Sequence, residues 1–343
     1  MLSLDPDTRA AALPPGAETD PAVARQRGQG WRLLPTVRWA EWRLAAVILL
    51  GAAAFILWRE FHTLSLGQVA GAIRAWGWGA VLAAMGLSAS SFVLMGLVEW
   101  LGLRWAGARI ALPSALAGSF IASAIAHSLG ANLIVSGAVR ARYYARHGVT
   151  LRQVAAATLF HGFSFTVGLS TLAGISLLLA SSHDIAAASR IANPVADAMG
   201  VVLLAGVGTY VALCALLRQP LRAFGHSVRL PSVRVALAQL TIGAVDNAVA
   251  AAIIWTLLPP GAIGYFTFVG GYAPSVVAGL VSHVPGGVGV FEGSLSALLK
   301  GLEPAALAAA FLGYRLFFFL APLLIAGLAL AVDTFGQPRQ RKI

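Results

Sequence analysis

The sequence predicts an all-α polytopic membrane protein. About six full transmembrane helices and two re-entrant helical hairpins are expected, arranged as an inverted repeat over eight hydrophobic segments. Three observations carry this. Hydrophobic residues make up 58% of the 343 and charged residues only 11%, with mean hydropathy +0.80, whereas a soluble domain carries about 25% charged residues. The apolar residues collect into eight runs, and basic residues are shared very unevenly among the loops between them.

Residues 1–40 are rich in Pro, Ala and Arg and contain no apolar run, so they are read as a disordered cytoplasmic tail. They lack the early apolar stretch of a signal peptide. The membrane domain is assigned to 41–335, and 336–343 to a basic cytoplasmic C-terminal tail. Apolar runs lie near 44–60, 78–103, 111–139, 153–180, 195–217, 235–258, 262–300 and 304–332. A helical span needs ~20 apolar residues, which most of these supply. Two runs are long and broken. The third is interrupted by Ala126-His-Ser-Leu-Gly-Ala-Asn132, and the seventh by His283-Val-Pro-Gly-Gly-Val-Gly-Val-Phe-Glu-Gly293. The second break has four glycines, a proline and a glutamate in eleven residues, and irregular backbone at membrane depth is tolerated only where protein buries it or water reaches it.

Loop charges decide how the broken runs sit. Six basic residues precede the first run, two lie in 104–110, four in 140–152, four in 218–234 and three in 339–342. Only two lie in 59–77 and one in 182–194. If every run crossed once, both four-arginine loops would face outward, against the positive-inside rule. If 111–139 enters and leaves on the cytoplasmic side, and 262–300 does so on the outer side, 19 basic loop residues face inward and three outward, with Lys300 near the outer face. Both termini are then cytoplasmic.

A repeat agrees with this. His127, Gly130 and Gly137 recur as His283, Gly286 and Gly293, offset by 156, and the same offset carries 78–103 onto 235–258 and 153–180 close to 304–332. Span, hairpin and span thus occur twice, in opposite orientations. Broken helices meeting near the midplane of inverted repeats belong to secondary-transporter architecture.

Ionisable residues inside membranes are costly, roughly 2.5–3.5 kcal/mol each on insertion scales, and are read as functional by default. The candidates are Glu99, Asp246 beside Asn247, Glu292 in the outer hairpin, Arg315 in the last span, and Arg140 after the inner hairpin. Arg315 and Arg140 suit a phosphate, given guanidinium geometry. Glu292 and Asp246 would hold an amine, or balance the arginines in an empty cavity. Gly286 and Gly287 would let backbone amides approach a headgroup. Alternative readings stand beside these. Asp246 and Arg315 would neutralise each other as a structural pair, and Glu99 would be interfacial and paired with Arg104. Arg142, Arg146 and Arg152 would be solvated topology determinants. His127 and His283 would bond local carbonyls at the hairpin tips, and His161 would bond a neighbouring helix. Phe317–Phe319 are ordinary apolar bulk, and Cys214 a small helix-facing residue that excludes a disulfide framework.

No phosphate-binding loop, nucleophile elbow or His-Glu-x-x-His pattern occurs, so no catalytic constellation, cofactor or metal is expected, and the protein is not read as an enzyme. The net charge of +11 lies in loops beside apolar runs, which points to lipid surfaces rather than nucleic acid.

At these residues the chain resembles the transmembrane, flippase-like region of the lysylphosphatidylglycerol synthase family, in its stand-alone YbhN-like (UPF0104) form. The stretches are Glu99-Trp-Leu-Gly-Leu-Arg104, Gly137-Ala-Val-Arg-Ala-Arg-Tyr-Tyr-Ala-Arg-His-Gly148, Asp246-Asn247 ahead of Trp255-Thr-Leu-Leu-Pro259, Pro285-Gly-Gly-Val-Gly-Val-Phe-Glu292, and Tyr314-Arg315 ahead of Pro322. The likeness runs from about 42 to 332; Asn247 departs from it, standing where an aromatic is common. It implies a lipid-binding or lipid-translocating protein. In two-domain relatives this region is thought to flip lipid made by a cytoplasmic synthase domain. The chain, ending at Ile343, is expected to lack that domain, so the substrate does not carry over.

The leading expectation is an inner-membrane protein of a bacterium that binds and flips a phospholipid, anionic or zwitterionic, without nucleotide hydrolysis. The rival is a non-transporting scaffold or accessory subunit that recruits a lipid-modifying enzyme through its basic loops; a third reading is an integral membrane enzyme. A homo-oligomer or that enzyme would be the protein partner.

Overall fold

The computed structural model describes residues 66–129, 132–179, 193–217, 221–223, 226–228, 230–282, 284–299 and 301–336. The expected N-terminal tail, the first apolar run at 44–60, His283, Lys300 and residues 337–343 lie outside the described residues. What is described is helical: α1 Leu66–Arg74, α2 Trp78–Trp105, α3 Leu112–Leu129, α4 Asn132–Ala145, α5 Leu151–Leu179, α6 Asn193–Leu216, α7 Val233–Leu257, α8 Tyr265–Val281, α9 Val290–Leu298, α10 Pro304–Tyr314 and α11 Ala321–Gly336. Five stretches are long and apolar enough to cross a membrane: α2, α5, α6, α7 and Pro304–Ala329. One addition appears in the basic loop after α6. Leu221–Ala223 and His226–Val228 pair as a short antiparallel ribbon, β1 and β2.

Both broken runs are pairs of helices. α3 and α4 pack on each other. The seventh run splits into α8, a turn at Pro285–Gly287, and α9. Glycine chemistry explains that split. Gly286, Gly287 and Gly289 have φ of 64°, 66° and 80°, a region that costs other L-residues roughly 1–2 kcal/mol each.

α2 and α7 pack side by side at the centre, and α5 lies against both. The hairpins pack crosswise: α3 lies on α11, and α8 lies on α5. α6 covers α5 and α7 from outside, with most of its surface exposed. Helices in lipid gain nothing from burying apolar surface against one another, so close approach by small residues matters. α5 and α7 touch backbone to backbone at Gly168 and Gly243, where a Cβ on either would run into main-chain atoms of the other helix.

The last span is continuous but widens over Arg315–Leu320, where hydrogen bonds run five residues back; Ala321 N–H, for instance, bonds to the Leu316 carbonyl. Pro322 follows with no N–H to give, so the Phe317 carbonyl, five residues before it, has no helical donor. Ser88 Oγ of α2 donates to that carbonyl at 2.7 Å. Such widened turns occur often at functional sites, and this one begins at Arg315.

Candidate functional site

Two buried arginines anchor the site, each held by a glutamate. Arg315, only 4% exposed, turns Nε (2.9 Å) and Nη2 toward Glu292 Oε1. Its Nη1 donates to the Gly286 carbonyl at 2.6 Å, and its guanidinium lies 4.6 Å from the Phe319 ring centre. The other Glu292 oxygen accepts the Gly289 N–H at 2.8 Å, capping the first turn of α9. Glu292 is thereby both counter-ion and cap, and the glycine turn is stitched to the last span.

Arg140 of α4 is the second anchor. Its Nε donates to Glu99 Oε2 of α2 at 2.7 Å. His161 Nδ1 of α5 lies 3.3 Å from the same oxygen and 3.4 Å from Arg140 Nη2. Glu99 Oε1 is buried with no partner among the described residues.

Asp246 of α7 is different. Its carboxylate accepts a hydrogen bond from Ser91 Oγ of α2. The adjacent Asn247 turns away and donates to the Gly243 and Phe165 carbonyls at 2.8 and 3.3 Å, tying α7 to α5.

Two cavities adjoin here. One, of about 150 Å³, is walled by Arg315, Gly286, Gly287, Asp246 and aromatic rings including Tyr272, Tyr314 and Phe318. The other, of about 280 Å³, is walled by Arg140, His161, Asp246 and the hydroxyl residues Ser123, Ser136 and Thr158. His127 and Asp246 line both. His127 stacks on Phe318, ring centres 5.4 Å apart, and its Nδ1, like Thr158 Oγ1, is buried with no partner among the described residues. Among those residues, no three His, Cys, Asp or Glu side chains cluster as a metal site would need.

Several expectations change on this geometry. Arg315 pairs with Glu292, not with Asp246. Glu99 is fully buried and pairs with Arg140, while Arg104 lies over the Trp100 ring at 4.7 Å. Arg140, counted with the loop charges, is inside the protein, whereas Arg142, Arg146 and Arg152 are exposed. Gly286 contributes its carbonyl rather than an amide, and Gly287 lies against Gly279 of α8. His161 does meet neighbouring helices, through the charged groups of Glu99 and Arg140, and Phe319, expected as apolar bulk, carries a guanidinium. Ser91 was missed, although it lies 155 residues before Asp246, one short of the repeat offset.

The candidate residues fall within a region that matches a known family. Residues 43–326 match the lysylphosphatidylglycerol synthase TM region. The chain is 30% identical over 306 residues to the inner membrane protein YbhN of Escherichia coli, covering 86% of this chain and 91% of that protein. It is 28% identical over 318 residues to slr0712 of Synechocystis, covering 89% and 96%. A polytopic helical membrane protein with this match over most of its length belongs to the family of the lysylphosphatidylglycerol synthase transmembrane region.

Proposed function

We propose that the protein binds a phospholipid in the two adjoining cavities and moves it between leaflets of a bacterial inner membrane. The observation that carries this reading is the pair of buried guanidinium–carboxylate links, one on each hairpin, on either side of cavities that share Asp246 and His127. Each arginine rests on its own glutamate. A lipid phosphate entering either cavity can compete for that guanidinium, since phosphate accepts the same forked bonds. Binding then loosens the hairpin from its flanking helix and ties lipid occupancy to hairpin position. The family match supports a link to lipid handling, and YbhN is described as an inner membrane protein.

The reading takes the hairpins as re-entrant, one from each side, with six spans in all and both termini cytoplasmic. At about 1.5 Å per residue, α4 with its 14 residues and α9 with its nine fall well short of the ~30 Å hydrocarbon core. The crosswise packing of α3 on α11 and α8 on α5 is what two related, opposed repeats would give. No covalent chemistry is assigned to the site, and the lipid is the partner it calls for.

The test uses purified protein in vesicles carrying a fluorescent phospholipid, with an outer-leaflet quencher. Wild type should expose the inner-leaflet label. Arg315→Ala and Glu292→Ala should lose that activity. The double change Arg315→Gln with Glu292→Gln, which leaves no unpaired charge, controls for folding and should be equally inactive. Label movement at the wild-type rate in all three would sink the assigned site, and no movement in wild type would sink the translocation reading.

A further inference from the structure

The membrane-embedded carboxylates differ in what faces them. Glu99 faces Arg140 and Glu292 faces Arg315, whereas Asp246 faces the Ser91 hydroxyl. Asp246 is also the one acidic side chain, among the described residues, on the wall of both cavities. Other charged or titratable groups reach those cavities from the surrounding elements. They are His127 of α3, Arg140 of α4, His161 of α5, Tyr272 of α8, and Tyr314 and Arg315 in the last span. Tyr210 of α6 is turned to Gln239. Both arginines are taken by their glutamates, so Asp246 has no dedicated counter-ion among these groups.

The position of Asp246 completes the argument. Residues of the first hairpin, such as Ser123 and Arg140, wall one cavity; residues of the second, such as Gly286 and Phe291, wall the other. If the hairpins enter from opposite faces, a carboxylate on both walls is the group that alternating access would expose to each side in turn. A lone intramembrane carboxylate is costly to keep ionised, and such groups mark proton and ion pathways.

We propose that Asp246 is a proton-coupling site: it gains a proton from water in one cavity and releases it to water in the other, so that lipid movement runs against proton movement. This rests on the translocation reading above. The step forms one O–H bond at the Asp246 carboxylate and later breaks it, with water as donor and acceptor. A metal cation would need a cage of several oxygens. The other residues on the shared wall, Met95, His127, Phe165 and Leu280, bring no side-chain oxygen to Asp246, so the proton is the ion that fits.

The experiment uses the full chain in vesicles of phosphatidylethanolamine and phosphatidylglycerol, with labelled phosphatidylglycerol and a pH-sensitive dye inside. An imposed pH difference should bias the leaflet distribution of label, up to about tenfold per pH unit for one proton per lipid, and the dye should report matching proton flux. Asp246→Asn should remove both the bias and the flux; Asp246→Glu, which keeps the carboxylate, should restore part of each. Label that moves in wild type with no pH bias and no proton flux overturns the coupling and leaves the translocation reading standing. A bias that follows a sodium gradient instead overturns the assignment to protons, as does an undiminished proton-linked bias in Asp246→Asn. Label that does not move in wild type defeats both readings together.

Discussion

Arg140 and Glu99 are 41 residues apart in sequence and meet in the deepest ion pair described, with side chains 2% and 0% exposed. The link runs from α4, the return helix of the first hairpin, to the central α2. It does for the first hairpin what Arg315 and Glu292 do for the second. The first pair is less fully satisfied, because Glu99 Oε1 has no partner among the described residues while both Glu292 oxygens accept bonds.

Removing one partner of a buried pair leaves an uncompensated charge and costs about 3–5 kcal/mol. Arg140→Gln and Glu99→Gln should therefore each lower the melting temperature of the detergent-purified protein markedly. The double variant leaves two neutral groups that can still hydrogen-bond, and should recover much of the loss. Thermal unfolding of all four proteins, set out as a double-mutant cycle, measures the coupling. Additive losses would show that the contact does not hold the hairpin.

The fold was legible where the signal is one-dimensional. Bilayer thickness sets run length, and the Pro285–Gly289 cluster announces the break after α8, because glycine readily tolerates the positive φ found there. Side-chain partners were less legible. Lipid and protein interior are equally apolar, so a span such as α2 carries little pattern to say which face turns inward. The supposed partner of Glu99, Arg104, lies five positions on and so off its face; it reaches Trp100, four positions back, instead. The true partners of Glu99 and Asp246 come from other segments, Arg140 across a hairpin and Ser91 from another span. For Ser91, the near-156 offset was the available clue.

The proposed opposed-hairpin topology predicts a labelling pattern. In a Cys214→Ala background, single cysteines at His147 and Ser232 should react with an impermeant thiol reagent only from the cytoplasmic face. Cysteines at Ala262 and Glu303 should react only from the outer face. All four positions are exposed. If each broken run crossed once, the residues at 147, 232 and 262 would exchange sides while 303 would not. Labelling of intact cells against inverted vesicles decides between the two.

The contact of α5 with α7 leaves no room for a methyl group. A Cβ at Gly168 would lie far inside van der Waals contact with the Gly243 carbonyl carbon, and one at Gly243 would meet the Ser164 carbonyl oxygen. Gly168→Ala should destabilise by about 1–3 kcal/mol, as overpacking does, and Gly168→Leu should abolish folded protein. Gly206→Ala on α6, where a Cβ has open space, should melt like wild type. Size-exclusion profiles and melting curves check the series, and a harmless Gly168→Leu would refute the close crossing.

The widened turn at Arg315–Leu320 makes a final prediction through Ser88 and Pro322. Ser88 Oγ supplies the hydrogen bond that Pro322 cannot give to the Phe317 carbonyl. Ser88→Ala should leave that carbonyl unsatisfied, at a cost of about 1–3 kcal/mol. Pro322→Ala acts in the opposite sense, because it restores an N–H and lets the helix tighten to ordinary pitch. Tightening by one residue rotates Arg315 by about 100° relative to the C-terminal half of the helix, which would draw its guanidinium off Glu292 unless α10 rotates with it. Pro322→Ala is therefore expected to fold but to translocate lipid poorly, and adding Ser88→Ala to it should cost little further stability, since the carbonyl then has its helical donor. Melting curves and vesicle assays of the two single variants and the double test this. A double variant as destabilised as Ser88→Ala alone would show that the proline does not create the widened turn.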